Sequence, residues 1–135
     1  MEMDFLRKKV LQALEERLGY TFSDLSLLDA ALTHTSYVKG DGKAHEHNER
    51  LEFLGDAVVD LVVGHYLYEE FPHKPEGELT KMRAALVCES SLANAARRVS
   101  LGEYLLIGKG ERGCGGANRS SNLADAWEAM VGAIY

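Results

Sequence analysis

The sequence predicts an all-α fold in a single domain. Apolar residues recur every three or four positions along nearly the whole chain, which is the spacing of one helix face. No segment alternates apolar and polar residues as a half-buried strand would. Of the 135 residues, 46% are apolar and 27% are charged, as is ordinary for a globular domain. At this length roughly two thirds of the unfolded chain's surface is buried on folding, so we expect a substantial core.

The boundaries of the predicted helices follow from capping residues. Asp4 can cap a first helix whose apolar residues recur every four positions up to Leu18, and Gly19 ends it. The further predicted helices run from Ser23 or Asp24 to 32, over 48–71, 76–87 and 89–99, and from Ser121 or Asn122 to the end. These helices account for most of the chain.

Two glycine-containing segments between these helices are predicted to be loops. The first covers residues 34–46, and we interpret His34 at its start as a residue that caps a helix end. The second covers residues 108–119 and contains five glycines, so we expect it to be mobile and basic. Its cations are Lys109, Arg112 and Arg119.

The charge balance and the cysteines limit the partners and the setting. The formal net charge is −6, so the chain cannot bind nucleic acid by net charge alone. The N-terminus lacks the basic-then-apolar order of a signal peptide, and no apolar run approaches the ~20 residues of a membrane span. Cys88 and Cys114 have no metal-ligand spacing, and we interpret Cys88 as a small buried residue. We therefore expect a reduced, cytoplasmic setting and no membrane partner.

An acidic stripe lies on the long predicted helix. Its members, spaced three, four and four residues apart, fall within an arc of about 80°. They are Glu49, Glu52, Asp56 and Asp60. Much of the remaining helix surface is apolar, so we expect the helix to be buried on most sides and the acids to line a cleft. A cation would relieve the repulsion in such a cleft, although a solvated acidic face is an equally simple interpretation.

The last predicted helix carries a second acidic pair. Asp125 and Glu128 are three residues apart and share a face. The alternative is that Asn122 and Asp125 form a capping box, which would make Asp125 only a helix-start residue. A glycine inside a helix usually marks the close approach of another helix, and Gly55 lies within the acidic stripe. A second helix could therefore bring its own carboxylates to the stripe there, and Gly132 is the corresponding glycine of the last helix.

Carboxylates from two helices, without cysteine or histidine, favour Mg²⁺ over zinc. Four carboxylates around Mg²⁺ are typical of metal-assisted phosphodiester hydrolysis. Such chemistry would also reconcile an acidic protein with a polyanionic substrate, because the cations would lie between them.

The run His47-Asn-Glu-Arg-Leu-Glu-Phe-Leu-Gly-Asp-Ala57 resembles the signature of the ribonuclease III family. The resemblance extends to residues 31–37, 75–79, 83–87 and 123–129, in the order found in the family. It implies that Glu52, Asp56, Asp125 and Glu128 hold the metal, and that Asp56 and Glu128 are the catalytic pair. It further implies that Glu49 and Glu76 are second-tier candidates for RNA or metal contact, and that Phe53 is a dimer contact. The resemblance gives Asp60 no role.

The same resemblance implies an Mg²⁺-dependent endoribonuclease, with Mn²⁺ as a possible substitute, that acts in RNA processing, including that of ribosomal RNA. Its substrate would be double-stranded RNA, cut by a homodimer to leave 5′-phosphates and staggered 3′-hydroxyl ends. Residues 1–135 would be the nuclease domain, truncated within its last helices and without the family's RNA-binding domain. Two alternatives are less favoured. A nuclease-dead relative should lack at least one of the four acids, and all four are present. A compact ribosomal RNA-trimming member should end with a completed helix, which this sequence does not predict.

Overall fold

The computed structural model describes residues 3–40 and 45–135, and it confirms the predicted all-α class. The helices are α1 (Phe5–Leu18), α2 (Leu25–Ala31), α3 (Thr35–Lys39), α4 (Glu49–Glu70), α5 (Glu76–Val87), α6 (Glu89–Arg98), α7 (Lys109–Gly113) and α8 (Ser120–Ile134). Two 3₁₀ turns cover Leu101–Tyr104 and Gly116–Asn118. Within the described ranges, extended pairing is limited to a parallel bridge between Thr33 and Leu106.

The first two helices begin and end at the residues that the capping rules predict. The Asp4 side chain accepts a hydrogen bond from the backbone N–H of Leu6, at 3.3 Å. Gly19 has φ +70°, a left-handed conformation that a glycine adopts without strain. Asp24 caps α2 by accepting from the N–H of Ser26, at 3.0 Å. These boundaries confirm the prediction for this part of the chain.

The prediction that residues 34–46 form a loop is wrong for α3. His34 does cap a helix end as expected, because its Nδ1 accepts from the backbone N–H of Ser36 at 3.1 Å. Ser36 in turn accepts from the N–H of Gly108 through its Oγ, at 2.9 Å. A helix of five residues is therefore fixed by a contact with a distant part of the chain, which local sequence does not reveal. Residues 41–44 of the predicted loop lie outside the described residues.

The prediction that residues 108–119 form a mobile loop is also wrong, because α7 and a 3₁₀ turn occupy most of the segment. Arg112 donates to the Leu105 carbonyl at 3.0 Å. Arg119 pairs with Glu111 at 3.1 Å and donates to a backbone carbonyl at 3.3 Å. Two of the predicted mobile cations are thus bonded within the fold.

The start of α8 excludes the capping-box alternative. The helix begins at Ser120 with Arg119 as its N-cap, so Asn122 lies inside the helix. The Asn122 amide is buried and donates to Glu111 Oε1 and to the Gly116 carbonyl, each at 3.0 Å. Asp125 is consequently a residue of the second helical turn.

Helix α8 lies at the centre of the fold and packs against α4, α6 and α2. Nine of its fifteen residues are buried, including Leu123, Ala126 and Met130. The main apolar core surrounds these side chains and includes Leu11 and Leu14 of α1. Any side chain of α8 that points toward α4 is therefore held on a rigid, well-packed element.

Helix α4 is far less buried than predicted. Only Gly55, Val59 and Leu67 are buried along its 22 residues, and they form one narrow stripe. Its outward apolar side chains are uncovered by the described residues: Phe53 is 81% exposed and Leu61 is 69% exposed. The expectation that α4 is buried on most sides is wrong, because only α8 and α5 pack extensively against it.

Two further observations bear on the setting. None of the helices in the described ranges has the length and apolar character that crossing a bilayer requires. Cys88, expected to be buried, is exposed at the end of α5, and Cys114 is exposed after α7. Both thiols are free.

Candidate functional site

Two glycines allow α4 and α8 to cross with their backbones in contact. A Cβ atom on Gly55 would lie 1.7 Å from the carbonyl oxygen of Glu128, and one on Gly132 would lie 2.5 Å from that of Leu51. No larger residue fits at such distances. The prediction that Gly55 marks the close approach of a second helix is confirmed, and side chains flanking the crossing are forced together.

Three carboxylates meet at this crossing. Oxygen atoms of Glu52, Asp125 and Glu128 lie within 4.8 Å of one another. Glu52 lies one turn before Asp56 on α4, while the other two lie three residues apart on α8. Glu128 is only 8% exposed, Glu52 is half-buried, and Asp125 is exposed, so the cluster opens toward solvent on the side of Asp125.

Asp56 joins the cluster through Glu128. The two side chains form a hydrogen bond, which requires that one carboxyl carries a proton. Asp56 itself is exposed, so it lies at the rim of the cluster. The four acids that sequence reasoning selected are therefore neighbours in space, although they come from two distant segments.

Burial and crowding raise the pKa values of three of these acids. For Glu128, burial is the largest cause, followed by the hydrogen bond and charge of Asp56, and its pKa rises to about 8. For Glu52, burial again comes first and the charges of Asp125, Asp56 and Glu49 follow. The pKa of Asp125 is raised by burial and by the charge of Glu89, and is lowered by His34. The site thus concentrates negative charge, and among the described residues the charge of His34 is the one effect on these three pKa values that opposes it.

The remaining predicted residues lie outside the cluster. Glu49 begins α4 and acts on Glu52 only through its charge. Glu76 begins α5, accepts from Thr80 Oγ1 at 2.8 Å, and lines a groove of about 440 Å³ between α4 and α5. Asp60 lines the same groove, so the acidic stripe splits between two places.

Phe53 projects from α4 into solvent beside the cluster. Its 81% exposure excludes the alternative that it belongs to the core of this chain.

Two residues that act on the cluster were missed as site residues. Glu89, the first residue of α6, raises the pKa of Asp125 by its charge, and His34 lowers it. Glu89 has no signal in the sequence that would relate it to Asp125. His34 lies in one of the motif segments, but spacing alone indicates only a cap.

Oxygen ligands at this spacing are suited to a hard divalent cation. The three-residue cluster could hold such an ion directly, and Asp56 is placed to contribute because its carboxyl group hydrogen-bonds to that of Glu128. A bound dication would offset the repulsion that raises the pKa values.

Comparison with known proteins gives consistent matches. A family model described as Ribonuclease-III-like matches residues 24–135. Ribonuclease 3 of Geobacillus thermodenitrificans is 52% identical over 130 residues, covering 96% of this chain and 53% of the relative. Ribonuclease 3 of Bacillus cereus is 50% identical over 129 residues, covering 95% and 53%. The chain therefore spans about half the length of the curated relatives it matches.

Solved structures with a similar fold include a nuclease domain of ribonuclease III and a Dicer. A nuclease domain of ribonuclease III from Campylobacter jejuni, described for flexibility in the region involved in its dimer formation, matches with a TM-score of 0.85 and 49% identity. The match covers 92% of this chain and 83% of that one. Dicer from Pichia stipitis matches with a TM-score of 0.61 and 30% identity, over 84% of this chain and 46% of that one.

Proposed function

The chain belongs to the ribonuclease III family, and from this premise we propose that it is the nuclease domain of an Mg²⁺-dependent endoribonuclease that cleaves both strands of double-stranded RNA. The carboxylate cluster at the crossing of α4 and α8 is the observation that carries the proposal. A protein of net charge −6 can bring carboxylates against a polyanion only if cations lie between them.

In this proposal Glu52, Asp56, Asp125 and Glu128 hold the metal. Their fit is supported by close oxygen atoms, which are ligands for a hard dication such as Mg²⁺, and by raised pKa values, which show the repulsion that a cation would relieve. Mn²⁺ accepts the same oxygen ligands and is expected to substitute. Bound Mg²⁺ would supply an activated water and stabilise the charge that develops on the phosphate oxygens.

The chain's own residues have two tasks in this reaction. Asp56 and Glu128 share a proton in the metal-free site and would release it on binding a cation. Glu52 and Asp125 would hold that cation from the two crossing helices. In the overall hydrolysis water adds to phosphorus, the bond to the 3′ oxygen breaks, and that oxygen takes a proton. The products are a 5′-phosphate and a 3′-hydroxyl.

We propose a homodimer with Phe53 at its contact. Phe53 is exposed and forms part of the wall of a groove of about 780 Å³, which both apolar and polar residues of the same chain line. The other apolar ones include Leu27, Val38, Leu51 and Leu54. A projection next to a matching groove is self-complementary about a two-fold axis, so two copies can exchange their phenylalanines. Two sites arranged in this way would cut the two strands at staggered positions.

Phe53→Ala tests the dimer. The substitution should favour monomers, because a buried aromatic at an interface centre contributes about 2 kcal/mol or more, a change of over tenfold in the dimer equilibrium. Phe5→Ala is the matched control, since Phe5 is a 67% exposed aromatic on α1. Sedimentation that finds the same dimer for the Phe53 variant and the wild type at low micromolar concentration would contradict the assignment.

A cleavage assay tests the chemistry. The wild type should cut a perfect RNA duplex in Mg²⁺ or Mn²⁺ and not in chelator. Glu128→Gln removes a charge from the metal site, so we expect at least a ~10²-fold loss of cleavage with duplex binding nearly retained. Asp60→Asn is the matched control, because Asp60 lies on the same stripe but outside the cluster. Equal losses of binding and cleavage in the Glu128 variant would count against its role.

The proposed function also implies a cellular compartment. We propose that the enzyme works in the cytoplasm in RNA processing, and its two free, exposed thiols are compatible with a reducing compartment.

A further inference from the structure

The hydrogen bonds of His34 determine which of its ring nitrogens carries the proton. The backbone N–H of Ser36 donates to Nδ1 at 3.1 Å, so Nδ1 must present its lone pair. Ser36 Oγ accepts from the N–H of Gly108 at 2.9 Å and lies 2.7 Å from Nδ1. With Nδ1 unprotonated, the Ser36 hydroxyl donates its own hydrogen to Nδ1. The neutral ring is therefore protonated at Nε2, and it presents an N–H donor on the side opposite the cap.

His34 is close to the residues that form the carboxylate cluster. His34 follows Thr33, whose carbonyl accepts from the N–H of Asn48 at 3.0 Å, and Asn48 is the N-cap of α4. Glu52 lies one turn further along that helix and donates its backbone N–H to the Asn48 carbonyl. On the side of α8, His34 is close enough to act electrostatically on Asp125. His34 thus directly follows a residue bonded to the N-cap of α4, and it is within electrostatic reach of Asp125 on α8.

The Nε2–H of His34 is a hydrogen-bond donor in surroundings that are otherwise acidic. Every other charged side chain that acts on the cluster acids is itself an acid, including Glu49 and Glu89. Within the described ranges, no side chain or carbonyl accepts a hydrogen bond from Nε2. A strand of RNA that crosses an acidic site is stabilised by hydrogen-bond donors at its edge, because carboxylates repel phosphates wherever no cation lies between them.

We propose that His34 is a substrate-positioning residue, whose Nε2–H donates to a phosphate oxygen of the RNA strand at the cluster. The inference depends on the proposed function, since it names a contact within that same site. Ser36 and Gly108 then act through His34, because they hold the ring in the tautomer and orientation that the contact requires.

Two substitutions separate this contact from the capping role. The amide oxygen of His34→Asn can replace Nδ1 as the cap of α3, but the side chain has no donor at the position of Nε2. The amide nitrogen of His34→Gln reaches the position of Nε2, but the side chain is a poorer cap. We expect single-turnover cleavage at saturating enzyme to fall about 10- to 100-fold in the asparagine variant, as for a lost hydrogen bond to a charged group, and less than fivefold in the glutamine variant. The melting temperatures should follow the opposite order.

Asp4→Asn is the control for a cap exchange away from the site, because Asp4 caps α1 and is exposed. It should cleave like the wild type. If the asparagine variant cleaves as well as the glutamine variant or better, the inference is overturned, because a role in capping alone gives glutamine no advantage. Long-range ¹H–¹⁵N spectra that place the neutral proton of His34 on Nδ1 would also overturn it. Failure of the wild type to cleave duplex RNA in Mg²⁺ would instead defeat the proposed function on which the inference depends.

Discussion

Ionisation of the Glu128 carboxyl group destabilises the folded protein. Burial and the neighbouring Asp56 raise its pKa in the folded protein to about 8, from an ordinary value of 4.5. The folded state therefore binds the proton more tightly than the unfolded state does. The resulting contribution to stability is fully present below pH 4.5 and is lost as the pH rises through about 8.

We predict that the unfolding free energy of the metal-free protein falls between pH 5 and pH 8 by an amount on the order of 2 kcal/mol. The fall is smaller than the full pKa shift of Glu128 would give, because the coupled carboxyl groups share the proton. Glu128→Gln should flatten this dependence and raise the stability at pH 8, since it cannot ionise. Thermal unfolding in chelator measures both effects. Asp60→Asn, outside the cluster, should leave the dependence as in the wild type, and a wild-type stability that rises over this range would contradict the prediction.

The four acids at the cluster could be selected from the sequence, because helical spacing groups each pair and the family motif joins the pairs. Spacing also included Asp60, which the structure places in the groove between α4 and α5. Glu89 could not be selected, because its effect on Asp125 depends on how α6 packs against α8. Periodicity therefore cannot predict the interactions in the site that join distant segments of the chain.

At the scale of elements, the crossing of α4 and α8 determines the site. Gly55→Ala would place a methyl group 1.7 Å from a backbone oxygen that cannot move independently. We expect a loss of about 3 kcal/mol or more in unfolding free energy, or failure to fold, because the two helices must separate.

Gly64→Ala is the matched substitution on the same helix. Its Cβ would lie 3.5 Å from the flexible side chain of Arg83, an ordinary contact. Replacing a glycine inside a helix should then stabilise the protein by about 0.5–1 kcal/mol. Urea unfolding of both variants gives the comparison, and similar effects at positions 55 and 64 would show that the crossing is not tight.

The long helices could be predicted from periodicity, and the ends of α1 and α2 agree with their predicted capping residues, whereas α8 begins at Ser120, before the predicted caps. The short helices α3 and α7 could not, because each has five residues and is stabilised by contacts with distant parts of the chain. The exposure of α4 was also misjudged. Its apolar residues surround the helix, and composition alone does not distinguish a face buried in the domain from one left uncovered.

At the scale of the whole molecule, the net charge of −6 gives no overall attraction for phosphates, and Arg112 and Arg119 are bonded within the fold. We predict weak binding of duplex RNA near physiological salt, with a log–log salt slope smaller in magnitude than about 4 per subunit. Fluorescence anisotropy in Ca²⁺, which we expect to support binding without turnover, measures it. A slope near −10 would mean that many more phosphates are contacted.

A basic RNA-binding domain attached by a flexible linker should lower the enzyme concentration needed for half-saturation, because it raises the effective concentration of RNA at the site. The single-turnover rate at saturation should be unchanged. A saturated rate that rises many-fold would instead mean that the added segment completes the active site.

The crossing at Gly55 and Gly132 also has a consequence for synthesis. The two glycines are more than seventy residues apart in the chain, so α4 leaves the ribosome long before α8 exists to cover its buried stripe. At ~5–20 residues per second the delay is roughly 4–15 s. Throughout that interval the nascent chain displays α4 with apolar residues on both its future inner and outer faces. We therefore expect α4 to be the segment that chaperones bind first, and the carboxylate cluster to form only after translation of the last helix.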